Sequence, residues 1–91
     1  MMELQSDVKD EVRKRLRRIG GQVRGIERMI DQGRECREIV TQIAAASKAL
    51  EQAGFRIVAA GVTDCIQHPE HGDLDGQDPI TVFQELFMKL A

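Results

Sequence analysis

Two cysteines are the residues of this 91-residue chain that most invite chemistry, Cys36 and Cys65. Thiolates attack sulfur electrophiles and ligate soft metals. If one helix joins the pair, their separation of 29 residues amounts to roughly 43 Å at ~1.5 Å per residue. The thiols of one chain then cannot meet. Two copies with this helix antiparallel would bring Cys36 of one beside Cys65 of the other, with an equivalent site at each end of a twofold dimer. The alternative is a pair of buried, inert cysteines. Cys36 lies at the expected helix start between Arg34 and Arg37, opposed by Glu35 and Glu38, and is read as the attacking thiol. Cys65 follows Asp64 near the helix end and is read as the resolving one.

His68 and His71 form a second group, set among Glu70, Asp73 and Asp75. A His-x-x-His in an acidic loop suits a borderline metal, and a solvated turn is the plainer reading. No Ser/His/Asp set, phosphate-cradling glycine loop or Cys-x-x-Cys spacing occurs, so neither an enzyme nor a resident cofactor is expected.

A cationic surface is the third candidate. The net charge of −2 averages unequal parts. Residues 9–28 hold eight Lys/Arg against three acids, a net of +5, and residues 66–91 carry −4. Such polarity allows a local anionic partner in an acidic protein. Arg13, Arg17, Arg24 and Arg28 follow at 4, 7 and 4, a single helical stripe that Lys14 and Arg18 flank. This surface suits duplex phosphates, with salt-dependent affinity, and no helix-turn-helix or zinc-finger pattern accompanies it. Aromatic residues are only 3%, which argues against a platform for stacking single-stranded bases.

Three helices must position these groups. Val8, Val12, Leu16, Ile19, Val23, Ile26 and Ile30 are spaced 4, 4, 3, 4, 3, 4 and predict a helix over residues 7–31. Ser6 is its expected N-cap, and Gly33 its left-handed stop. Gly20, Gly21 and Gly25 lie inside it, either as tolerated weak positions or as places where another backbone comes close. Ile39, Ile43, Ala46, Leu50, Ala53, Ile57 and Ala60 then form a heptad-like seam on a helix over 35–66, which Gly54 and Gly61 do not break. Residues 67–78 read as a turn-rich loop. Asp78 and Pro79 open a third helix over 79–90, with Ile80, Phe83, Leu86, Phe87 and Leu90 on one side. The whole chain, 1–91, reads as one all-α domain. A rod this long in so short a chain leaves apolar stripes uncovered, which predicts a helical oligomer. No stretch is long and apolar enough to span a membrane. The acidic opening MMELQSDVKDEV is unlike a secretory signal, so a cytoplasmic protein with reduced thiols is expected.

RLRRIGGQVRGIERMID (15–31), Cys36, IVTQIAAASKAL (39–50) and Cys65 together resemble the CsoR/RcnR family of bacterial transcriptional repressors, over almost the whole chain. The resemblance implies a three-helix protomer, an antiparallel dimer built on the second helix, and a dimer-of-dimers tetramer that binds operator DNA until an inducer arrives. It also implies Arg15 and Arg18 as DNA contacts, beside the stripe residues Arg13, Arg17 and Arg24 with Lys14, and Lys48 of the second helix. Copper sensors of the family place a His four residues before the second Cys, where this chain has Gly61. Two cysteines without that histidine look like the persulfide-sensing CstR branch. There, reactive sulfur species (persulfide or polysulfide) link the two thiols across subunits and DNA is released. The alternative inducer is Cu(I), held by Cys36 and Cys65, with Glu85 similar to an acidic position that supports the copper site.

Overall fold

The computed structural model describes residues 4–71 and 76–91. Three helices carry the all-α fold: α1 (Ser6–Asp31), α2 (Cys36–Gln67) and α3 (Pro79–Leu90), with a short 3-10 turn at Pro69–His71. Helix α1 begins one residue earlier than its pattern suggests. Ser6 is already helical, so Gln5 takes the cap position and no side chain caps the free N–H groups. Its end follows the expected chemistry. The Gly33 N–H donates to the Ile30 carbonyl and the Arg34 N–H to the Met29 carbonyl, at 3.1 and 3.0 Å. This paired closure needs a left-handed residue between helix and loop, and Gly33 supplies it at φ 69°.

Helix α2 runs unbroken for 32 residues. The seam predicted on it divides into two roles. Ala46 and Ala53 are buried, because small side chains let α1 lie close and antiparallel. Ile43, Leu50 and Ile57, spaced by sevens, stay 49, 53 and 38% exposed. The stripe on α1 divides likewise: Val8, Val12 and Ile26 are buried, while Leu16, Val23 and Ile30, also spaced by sevens, remain open. At ~100° per residue both open rows fall on the same face of the α1–α2 hairpin. Among the described residues, the atoms that a Cβ at Gly20, Gly21 or Gly25 would meet are the ends of the Arg24 and Arg28 side chains, not another backbone.

Helix α3 starts where predicted. Asp78 accepts from the Ile80 N–H at 3.3 Å and Pro79 follows in the first turn. The helix folds back along the second half of α2. Phe87 packs on Phe55 with ring centroids 5.1 Å apart, and Phe83 is buried. Gly54 permits this approach, since a Cβ there would stand 2.6 Å from a Leu90 methyl carbon. Ile80 and Leu86 of the expected apolar side remain exposed. Among the described residues, every contact between elements runs through α2. The protomer measures 53 × 25 × 16 Å with a radius of gyration of 16.9 Å, against about 12 Å for a compact chain of this length. A core this thin leaves much of the protomer's apolar surface uncovered.

Candidate sensing thiols and nucleic-acid surface

Cys36 is the first residue of α2, and Cys65 lies in its last turn. The helix is continuous, so they stand roughly 43 Å apart by helical rise and no intrachain chemistry joins them. Their phase along the helix is the informative feature. Cys36, Ile43, Leu50 and Ile57 follow at intervals of seven, and Cys65 comes eight residues later on the same face. Leu50 and Glu51 are midway between the cysteines. An antiparallel copy crossing there would set its Cys36 beside this Cys65. Cys36 is exposed and Cys65 half-buried, and both are free thiols. Neither is therefore an inert core cysteine within the protomer.

Cys65 also lines an apolar groove of about 940 Å³ between α2 and α3, with Val62, Ile66, Ile80 and Phe83. Around Cys36 the charges are partly neutralised, because Arg34 donates to Glu38 at 2.8–2.9 Å. Arg37 is the other adjacent cation. His68 caps the end of α2, and its backbone N–H donates to the Asp64 carbonyl at 2.7 Å. Its Nδ1 is 3.3 Å from the Glu70 carboxylate. The side chain of His71, with Asp73 and Asp75, lies outside the described residues, so the His-x-x-His reading rests there on His68 alone. Among the described residues of one protomer, no three His, Cys, Asp or Glu side chains converge on a possible metal. Two thiolates suit a soft ion such as Cu(I). Glu85 is exposed on the outer side of α3, beside Thr81 and Lys89. It is absent from the groove that holds Cys65 of the same protomer.

The predicted DNA contacts fall into two sets, all exposed. Arg13, Arg17 and Arg24 form the outward stripe of α1. Lys14, Arg15 and Arg18 instead line a depression over the α1–α2 seam with Ala49 and Gln52, and Lys48 sits one turn before Gln52. This seam faces away from the apolar rows. The hairpin thus has one apolar face with thiols at its ends and one basic face. One polar element escaped the sequence reading. Arg56 donates from Nε to Glu11 at 2.6 Å and ties α2 to α1. Glu11 also lies 3.8 Å from Arg15. The signal was present, since Arg56 is the lone charge between Glu51 and Asp64 and a half-buried cation needs a partner.

A family model described as metal-sensitive transcriptional repressor matches residues 8–89. The chain belongs to that family. Relatives of this repressor include the copper-sensing transcriptional repressor CsoR of Bacillus subtilis, 32% identical over 94% of this chain and 84% of that protein. The copper-sensing transcriptional repressor RicR of Mycobacterium tuberculosis is 41% identical over 64% of this chain, a match spanning 60% of RicR's own length. Among solved structures, the repressor is similar to the copper-sensing repressor CsoR with Cu(I) from Geobacillus thermodenitrificans, with a TM-score of 0.72, 28% identity, and coverage of 93% of this chain and 92% of that one. It shares its fold with the nickel-responsive regulator InrS, with a TM-score of 0.74, 24% identity, and coverage of 100% and 99%. The family expected from the motifs is thus shown. CsoR and RicR are both described as copper-sensing.

Proposed function

We propose that this repressor binds operator DNA through the basic faces of an antiparallel dimer, itself paired into a tetramer, and releases it when Cu(I) is captured between Cys36 of one copy and Cys65 of another. The observation that carries the reading is the shared face of α2: both thiols lie in line with the open row Ile43, Leu50 and Ile57. The same partner that covers the row completes the thiol pair. Reduced cysteines of this kind belong in the cytoplasm. The copper-sensing relatives support Cu(I) as the inducer. Gly61 supports a second reading, persulfide or polysulfide as inducer, because one helical turn before Cys65 there is no side chain to ligate a metal. A dithiol can trap sulfane sulfur without that donor.

Fluorescence anisotropy on the promoter DNA of the repressor's own gene separates the two. DNA binding that weakens steeply with salt, and release by one equivalent of Cu(I) per protomer under anaerobic conditions, is the expected result. Release by polysulfide with no response to Cu(I) would select the sulfur reading. No salt-dependent DNA binding would remove both.

A further inference from the structure

We propose that Glu11 is a charge gate on the DNA surface: Arg56 holds its carboxylate off Arg15 and so keeps Arg15 open to a phosphate. The inference rests on the reading of Arg15 as a DNA contact and deepens it. One carboxylate oxygen serves two guanidinium groups. Glu11 Oε2 accepts from Arg56 Nε at 2.6 Å and stands 3.8 Å from Arg15 Nε. The first distance is that of a charge-assisted hydrogen bond, and the second lies beyond hydrogen-bond reach. The two arginines are thus unequal rivals for one negative charge. A glutamate four residues ahead of an arginine is the favourable order for an ion pair on a helix, so α1 alone would pair Glu11 with Arg15. Helix α2 prevents it, through a contact that spans 45 residues of sequence.

Arg15 lines the depression over the α1–α2 seam with Lys14 and Arg18. A phosphate seated there would meet all three cations. A carboxylate paired with Arg15 would cancel its charge, occupy an N–H and repel the phosphate. Turned to Arg56, the same carboxylate does less of each. Asp7 and Asp10 edge the depression too, but they stand eight and five residues before Arg15, off the row of i, i+4 pairs that Glu11 occupies. Arg56 follows α2 into a second depression, which it lines with Asp7 and Asp64, so its guanidinium has acidic groups on two sides. It also neighbours Ile57 of the open row and precedes Cys65 by nine residues on the same unbroken helix. The position of α2 on α1 therefore sets how much of the Glu11 charge reaches the DNA surface.

The test measures binding of the full-length, inducer-free repressor to the promoter DNA of its own gene, at several salt concentrations. Wild type is compared with R15A, R56Q, R15A/R56Q, E11Q and E11Q/R56Q. R56Q is expected to weaken binding by about 1.4- to 5-fold for each copy in contact with the DNA, the range of an exposed ion pair of about 0.2–1 kcal/mol at about 1.4 kcal/mol per tenfold. Its salt slope should fall toward that of R15A. In the R15A background the same change should have no effect, and E11Q/R56Q should bind at least as tightly as wild type. E11Q alone should bind more tightly than wild type, whereas a merely structural tie predicts the opposite sign, and this arm stands even if R56Q fails to fold. The gate is overturned if R56Q weakens R15A as much as it weakens wild type, because Arg56 then acts without Arg15. It is overturned as well if E11Q fails to tighten binding. If R15A binds like wild type, the Arg15 contact itself fails, which is a separate result from failure of the gate.

Discussion

Leu50 offers the most direct test of the assembly. It sits midway between the two cysteines and leaves 53% of its surface open in the protomer. In an antiparallel pair crossing at Leu50 and Glu51, each Leu50 would cover that surface against the other copy. Fully burying a leucine contributes about 1.5–3 kcal/mol, so the uncovered half contributes about 1 kcal/mol per copy and about 2 kcal/mol for the pair. L50A should therefore weaken dimerisation by about thirty-fold, since each 1.4 kcal/mol is about tenfold. Because folding and association are linked, the urea midpoint should fall. Sedimentation over a dilution series reads the same change directly. Cu(I) affinity should drop with it, because each proposed site draws on two chains. A59S, on the far side of α2, is the control and should leave association unchanged. If L50A and A59S associate alike, the proposed crossing point is wrong. If a fully monomeric protein still binds Cu(I) at full stoichiometry, so is the intersubunit site.

Three further outcomes follow from the same geometry. R17A should weaken binding to all DNA sequences and reduce the log–log salt slope by about one for each copy in contact with the operator, as titrations at several salt concentrations will show. G54A places a carbon 2.6 Å from Leu90 and should cost about 1–3 kcal/mol by overpacking, and a double-mutant cycle in urea should show that the cost is smaller in the L90A background, where the clashing methyl carbons are gone. E11Q removes the negative charge from the acceptor of the 2.6 Å bond from Arg56 and from the neighbour of Arg15. It should cost about 1 kcal/mol of stability, given that both side chains are partly exposed, and tighten operator binding by unmasking Arg15.

Much of the fold was legible because periodicity and local chemistry agreed. The apolar spacing from Val8 to Ile30 and the left-handed Gly33 fixed α1 and its end. Asp78 with Pro79 fixed the start of α3 to the residue. Ser6 misled because a serine ahead of an apolar stripe signals a cap only if its own backbone stays extended, and here it is helical. Arg56 and Glu11 lie 45 residues apart in sequence, and no local pattern pairs them. Glu85 was placed by resemblance alone, and Phe83 and Phe87 turn it to the outer side of α3, out of the groove that Cys65 of its own protomer lines.

The site shows a deeper limit of pattern reading. A seam of seven apolar residues on α2 says which sides of the helix avoid water, but not which chain covers each one. Side-chain size decides that. Ala46 and Ala53 bring α1 close enough to close the hairpin, and the same closeness leaves Ile43, Leu50 and Ile57 standing beyond α1's reach. On the proposed reading, large residues at a spacing of seven, next to small ones already buried, form the surface that another copy covers. Cys36 and Cys65 share that face, so on this reading the contact that finishes the core also finishes the sensor. An inducer held there would act on the packing that joins the copies, and through α1 on the basic face carried on the opposite side of the same hairpin.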